Sequence, residues 1–476
     1  MTLDEQSSDS GRSRHSVCAA FFPLRSSVKS KIKNQKSKIR PRARLISLCL
    51  FALTAARAQD TSTTTTNAPT PAYPLVETNQ PPALPRPAFE PLHGPTLAGT
   101  SQLAPPPASV PLSSVPPILS WGRLTLQLHV LYRVSYGDGL QASPGQQSKT
   151  VINEVDPGLL LQWGNLWTLD YTPALRFYSS RAFRDTFDNS VTLTGSTTYE
   201  DWTLGLSQSY AATSQPLIET GSQLDQQTFT TALNATYQIS GQTSLELGVS
   251  QNFRVISSTV PGEQLSDTRS WSTMDWLNYQ LLPRLGAAIG LGFGYDNLAV
   301  GSDMTSEQFQ GRITWRVVNK LNFVLSAGGE DRQFLAPGVP DLISPIFSFS
   351  AQYSPFDVTI LSLSATRTIT PSFFQDQVTE STSISGGFHQ RLLGKLSFDL
   401  SAGYSTSTFH ASSTAPAPGT ANIGNYDSTF YSVRLSAPFL QRGSAGVFYS
   451  ANYNSSGAAL FNYSTTQVGL ELSYHY

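Results

Sequence analysis

Beyond Cys49 the 476-residue sequence contains no cysteine, and only 13% of its residues are charged. The first absence removes disulfides and thiol chemistry from the rest of the chain, without arguing against an oxidising compartment. The second is about half the charged share of an ordinary soluble domain. Histidine is also scarce. His93, His129, His389, His410 and His475 stand one to a segment, so no His/Cys/Glu group has metal-ligand spacing, and no metal or cofactor is expected. No glycine-rich phosphate loop opens a helix. Positive charge is missing where nucleic acid would need it: residues 1–58 carry 12 Lys/Arg against 3 Asp/Glu, the remainder 19 against 29. An acidic remainder argues against a nucleic-acid partner.

The basic run Lys36 to Arg44, the apolar stretch Leu45 to Ala55 and the Ala56-Arg57-Ala58 site read together as a secretory signal peptide. The apolar stretch is too short for a transmembrane helix, which needs about 20 residues. Leu48 directly before Cys49 argues against lipoprotein processing. Upstream, Lys29-Ser-Lys-Ile32 recurs as Lys36-Ser-Lys-Ile39, and residues 1–35 read as an extension of the start. Residues 59–118 are rich in Thr and Pro, as in Thr61 to Thr66 and Pro105 to Pro107, and have no hydrophobic period. They are expected to be a disordered periplasmic segment and a semi-rigid spacer. It serves either as a plain tether or as a binder of peptidoglycan or a periplasmic partner.

From Leu119 onward the pattern changes to period-2 alternation. Leu124, Leu126, Leu128, Val130 and Tyr132 share one face of the first segment, with Thr125, Gln127, His129 and Arg133 on the other. Short turns are expected at Gly164-Asn165, Glu200-Asp201, Ser240-Gly241, Leu282 to Arg284, Asn319-Lys320, Ser354 to Phe356, Leu393-Gly394 and Phe439 to Gly443. Longer polar loops alternate with them, the first over residues 137–149. Together the connections predict about 18 antiparallel strands, an even number with both ends on the short-turn side. Trp121, Trp163, Trp167, Trp202 and Trp315 fall near that side. Tyr132, Phe177, Tyr210, Phe253, Tyr295 and Tyr404 fall toward the other, as two interfacial girdles would. A soluble β-helix would need a short fixed repeat, which is absent. A sandwich of this size would need a signal for domain splitting.

The final ten residues, Gln467 to Tyr476, place Val468, Leu470, Leu472, Tyr474 and Tyr476 on one face. Such a strand suits the closing strand of an outer-membrane barrel, with Tyr474 and Tyr476 as its assembly signal. Its partners would be outer-membrane lipid and the barrel-assembly machinery of a Gram-negative-type bacterium. Parity assigns Glu154, Asp156, Asp170, Arg176, Glu246, Arg254, Asp296, Arg312, Arg316, Asp399, Arg434 and Glu471 to the lumen. Both signs occur, so they form either ion-pair ladders that stiffen the wall or a solute-selecting surface. The inward positions of Leu285 to Tyr295, namely Gly286, Ala288, Gly290, Gly292 and Gly294, carry almost no side chain. Either a loop folds back there or the lumen is wider.

Val155-Asp-Pro-Gly-Leu-Leu-Leu-Gln-Trp163, then Trp167-Thr-Leu-Asp-Tyr171, Tyr178 and Asp188-Asn189, resemble the outer-membrane β-barrel porins often encoded beside exopolysaccharide synthesis and export genes. In that family an opening strand ends in a Tyr-Asp-Asp-Asn-like stretch. Tyr136-Gly-Asp-Gly139 stands at that place here, so this motif is partly kept. The resemblance is most visible over residues 120–250. It implies an outer-membrane location and a link to polysaccharide traffic, and it transfers no functional residue.

The sequence therefore predicts an all-β transmembrane up-and-down barrel over residues 119–476, after an extension plus signal peptide (1–58) and a disordered segment (59–118). Its expected function is the passage or export of small hydrophilic solutes, saccharides included, without enzymatic chemistry. The alternative is a structural or docking barrel with a blocked lumen in cell-surface or exopolysaccharide assembly. An outer-membrane hydrolase is a third reading, since serines are abundant and triads assemble in space.

Overall fold

The computed structural model describes residues 119–476 except 144, 165, 218–221, 258–264, 394, 415–424, 441 and 458–461. The extension, signal peptide and Pro/Thr-rich segment lie outside the described residues. The strands are β1 (Leu119–Trp121), β2 (Leu124–Ser143), β3 (Gln146–Trp163), β4 (Trp167–Tyr178), β5 (Thr186–Tyr199), β6 (Trp202–Thr213), β7 (Pro216–Leu217), β8 (Ser222–Gln223), β9 (Asp225–Gln238), β10 (Thr243–Ser257) and β11 (Thr268–Leu282). They continue as β12 (Leu285–Leu298), β13 (Met304–Val318), β14 (Leu321–Phe334), β15 (Leu342–Phe356), β16 (Thr359–Pro371), β17 (Gln377–Leu392), β18 (Leu396–Ala411), β19 (Tyr426–Phe439), β20 (Gly443–Ser456) and β21 (Tyr463–His475).

Apart from the three-residue β1 and the small β7–β8 pair, each strand pairs antiparallel with its neighbour in the chain. The last, β21, returns to the first, β2, from His129↔His475 to Asp138↔Thr466. The result is a closed barrel of 18 antiparallel strands in up-and-down order. Closure joins the first strand of the wall to the last, so the sheet has no edge strand, the condition for a sheet to cross lipid.

Period-2 alternation decides which face each side chain takes. On β12, Ile289, Leu291 and Phe293 are exposed on the outer face while Ala288, Gly290 and Gly292 are buried on the other. On β2, Leu124, Leu128 and Tyr132 are exposed and Gln127 and Arg133 are buried. An apolar outer face around a polar inner one inverts the arrangement of a soluble protein and suits a bilayer. Trp121, Trp163 and Trp315 are exposed at the short-turn end. Tyr210 with Phe229 and Phe253 with Trp271 form ring pairs toward the long-loop end.

Two expected boundaries are corrected. The long loop read over residues 137–149 is mostly strand: β2 and β3 stay paired as far as Ser143↔Gln146, with irregularities between Gly137 and Leu140 and between Gln141 and Ser143. Bulges absorb the glycines and let the ladder continue. The turn read at Ser354 to Phe356 lies two residues later, since β15 runs through Phe356 and β16 resumes at Thr359. A short Ser-Pro stretch near a strand end signals a bend without fixing where pairing stops.

The β16–β17 hairpin leaves the wall. Pairing of β16 with β15 stops at Phe347↔Arg367 although both strands continue. Beyond that point Ile369 and Val378 pack with Leu298, Met304 and Phe334. Those three come from β12, β13 and β14, so the hairpin tip lies across the inner wall at the long-loop end.

Candidate functional site

The lumen charges meet in groups, and the largest group crosses the closing seam. Arg434 of β19 donates from Nη2 to Oε2 of Glu471 on β21 at 3.4 Å, and its Nε stands 2.9 Å from Oε1. The same Oε2 accepts from Arg133 Nη2 of β2 at 3.3 Å. Arg133 Nη1 donates to Glu154 Oε2 of β3 at 3.4 Å, and Arg176 Nη2 of β4 stands 2.5 Å from Glu154 Oε1. Arg176 also pairs with Asp188 of β5. Charge alternates along this row, and all of its side chains are buried or nearly so. The register is what lines it up: Arg133 faces both Glu471 and Glu154 directly, and Glu154 faces Arg176.

Between β19 and β21, strand β20 contributes Phe448, whose ring lies 5.2 Å from the Arg133 guanidinium carbon. Gly446 and Gly469 leave room on either side: a Cβ at Gly469 would fall 2.7 Å from the Phe448 ring. At Gly446 it would meet Glu471 at 3.2 Å.

The small-residue strand β12 has a physical account of the same kind. Trp276 of β11 turns inward and lies against Gly290, where a Cβ would come within 2.6 Å of the indole. Arg312 of β13 stacks over that indole at 4.3 Å, donates to Asn278 Oδ1 at 2.7 Å and pairs with Glu246 at 2.6 Å. A bulky side chain on β11 thus occupies the space that β12 leaves.

The infolded hairpin is pinned to strands well away from its own place in the sheet. Arg254 of β10 donates to the Ser372 carbonyl at 2.8 Å and lies over the Phe373 ring at 4.1 Å. The Ser266 amide donates to the Phe373 carbonyl at 3.0 Å, and Leu265 bridges Phe374. Arg332 of β14 donates to the Ile369 carbonyl at 3.0 Å and pairs with Glu330 at 2.7 Å and Asp296 at 3.3 Å. Arg367 and Glu380 on the hairpin pair with each other, and His410 stands 3.3 Å from Glu380. The strap therefore crosses part of the lumen between β10 and β16.

The other sequence-derived positions are more scattered. Asp399 faces Arg434 in register and holds His389 Nδ1 at 2.6 Å. Asp170 accepts from Thr172 at 2.8 Å, whose hydroxyl contacts His129 at 3.3 Å. Asp156 is half-buried beside the seam row, with one carboxylate oxygen lacking a partner among the described residues. Arg316 is exposed at the short-turn end, next to a bulge. Tyr474 and Tyr476 meet edge to face at 4.7 Å. The lumen set read from the sequence omits Glu330, Arg332, Arg367 and Glu380, and also Arg133 and Asp188, which the sequence names only on the polar face of the first strand and in a motif. Parity on β2, β5 and β14 holds the signal for Arg133, Asp188, Glu330 and Arg332.

No family model matches the chain, and no curated protein matches it significantly. Similar solved structures include Acinetobacter baumannii OccAB4, 12% identical over 74% of this chain and 98% of that one, with a TM-score of 0.40. Pseudomonas aeruginosa OccK11 (OpdR) is 12% identical over 74% and 95%, with a TM-score of 0.39. Pseudomonas aeruginosa OccK2 (OpdF), solved in complex with glucuronate, is 11% identical over 74% and 97%, with a TM-score of 0.40. Likeness at this level carries nothing about solute or mechanism, and the barrel stands on its own strand pairing.

Proposed function

We propose that the chain is an outer-membrane porin-like barrel through which small hydrophilic solutes pass. One observation supports the reading above the rest: a closed 18-strand sheet with an apolar outer face and a polar, charge-bearing inner face. Closed sheets of this size enclose a water-filled passage unless something fills it. Transport then needs no reacting atoms, only wall groups that exchange for the solute's hydration. The N-terminal segment would be periplasmic after signal cleavage, and the solutes would include saccharides, with an export role beside exopolysaccharide synthesis. Single-channel recording in planar bilayers tests this. A purified, heat-modifiable barrel should give discrete conductance steps, and a barrel that gives none would overturn it.

A second reading, a docking or structural barrel with a blocked lumen, has a specific observation in its favour. The infolded β16–β17 hairpin and its contacts at Arg254, Leu265 and Ser266 narrow the long-loop end. The same recordings separate the two readings.

A further inference from the structure

The charges of the lumen are largely consumed by one another, and the inner face of β15, β16 and β17 is, like that of β5, β6 and β9, a stretch of wall with few of them. On β15, β16 and β17 two register rungs are made of hydroxyls alone: Ser348↔Thr366↔Ser383 and Ser350↔Ser364↔Ser385. Ser364 and Ser385 hydrogen-bond across strands at 2.6 Å, and Thr366 and Ser383 at 2.8 Å. Ser348 and Ser350 are exposed on the inner face. The polar groups that bracket this wall already hold partners: Arg367 pairs with Glu380 toward the long loops, and Asp399 contacts His389 and faces Arg434 in register toward the short turns.

A pair of hydroxyls that share one hydrogen bond still holds one donor and several lone pairs for a third group. Strands lie about 4.8 Å apart and same-face residues about 7 Å apart along a strand, so these hydroxyls form a grid on the scale of a hexose ring. A neutral polyol can exchange water hydrogen bonds for wall hydrogen bonds on such a grid at little net cost. A charged solute finds no unpaired counter-charge on it and would lose hydration without compensation.

We propose that this wall is the solute track, and that the solute class is neutral and polyhydroxylated, a short saccharide rather than a sugar acid. The proposal rests on the porin reading above. The test uses the full chain, in planar bilayers for potassium chloride conductance and in liposomes for swelling with maltose or with lactobionate, a disaccharide-sized anion. Wild-type protein should conduct and admit maltose faster than lactobionate. The variant Ser350→Ala, Ser364→Ala, Ser385→Ala should keep its conductance and lose maltose entry by about fivefold, the scale of one net hydrogen bond. Because that triple variant removes a cross-strand pair, Ser350→Ala alone, at an exposed position, serves as the variant that leaves the wall's internal bonding intact and should show a smaller loss in the same direction. Conductance with equal entry of both solutes, or with maltose entry unchanged in both variants, would overturn the proposal and leave the porin reading standing. Absence of conductance from a heat-modifiable barrel would overturn both.

Discussion

Glu471 on the last strand and Arg133 on the first are joined across the closing seam, Oε2 to Nη2 at 3.3 Å. Glu471 is also the carboxylate that receives Arg434. Removing it leaves two arginines without this carboxylate in a buried setting, where the loss of one partner costs about 3–5 kcal/mol. Glu471→Ala should therefore destabilise the barrel by about 3 kcal/mol. The exposed Lys149–Asp138 pair is the control, and Asp138→Asn should leave stability nearly unchanged, since solvent screens such pairs. Denaturant unfolding in lipid, followed by tryptophan fluorescence, measures both. Equal effects for the two variants would mean that the seam row adds nothing beyond surface pairing.

Tyr476 concerns assembly more than stability. Its amide donates to the Leu128 carbonyl at 2.8 Å, and its ring packs against Tyr474 beside the short-turn girdle. An aspartate there would place a charge at the apolar interface of the strand that must close the barrel. Tyr476→Asp is expected to lower the amount of heat-modifiable barrel in the outer membrane of expressing cells. Wild-type levels would show that closure does not depend on this residue.

The architecture was legible in the sequence because lipid on one side and water on the other impose strict alternation, and alternation survives in composition. Counting turns between alternating segments predicts 18 strands, and the pairing closes 18. What alternation could not convey was pairing beyond the membrane band. Gly137 and Gly139 read as a loop, yet bulges carry β2 past them. Parity also fails where the sheet bends inward. On β16 the inner face is Ser362, Ser364 and Thr366, which would put Arg367 outside. Folding of the hairpin instead turns that face onto the inner side of β15, where Arg367 contacts Ser344 and Glu380. No local pattern announces such a fold, because contacts that hold it, from Arg254 and Leu265, come from more than 100 residues away in the chain.

The small residues of β12 divide by what lies opposite them. At Gly290 a Cβ would meet the Trp276 indole at 2.6 Å, whereas at Gly286 the nearest atom, on the flexible Gln280 side chain, is 3.6 Å away. Gly290→Val should overpack the wall and cost about 1–3 kcal/mol, and Gly286→Ala should be tolerated. Both are read from the denaturation midpoint. Equal tolerance at the two sites would mean that Trp276 moves freely and that the fit between β11 and β12 is loose.

The hairpin strap gives the last prediction, and it applies to either account of the lumen. Arg254 grips the strap through the Ser372 carbonyl and the Phe373 ring, and Leu265 pairs with Phe374 beside it. Deleting residues 372–376 or replacing Arg254 with alanine should widen the path and raise single-channel conductance by about twofold, since an 18-strand barrel without an insert leaves a broad channel. If the lumen is blocked in the wild-type protein, the same changes should create conductance where none exists. The complementary variant is Leu265→Cys with Phe374→Cys. Bridged residues in antiparallel strands have Cα separations of about 4.5–5.5 Å, within disulfide reach, and the only native cysteines are Cys18 and Cys49, which signal cleavage after Ala58 would remove. Oxidised, this variant should hold the wild-type conductance level with fewer transient openings, and reduction should restore them. A strap that can be cut, released or locked without any change in conductance does not lie in the path of the solute.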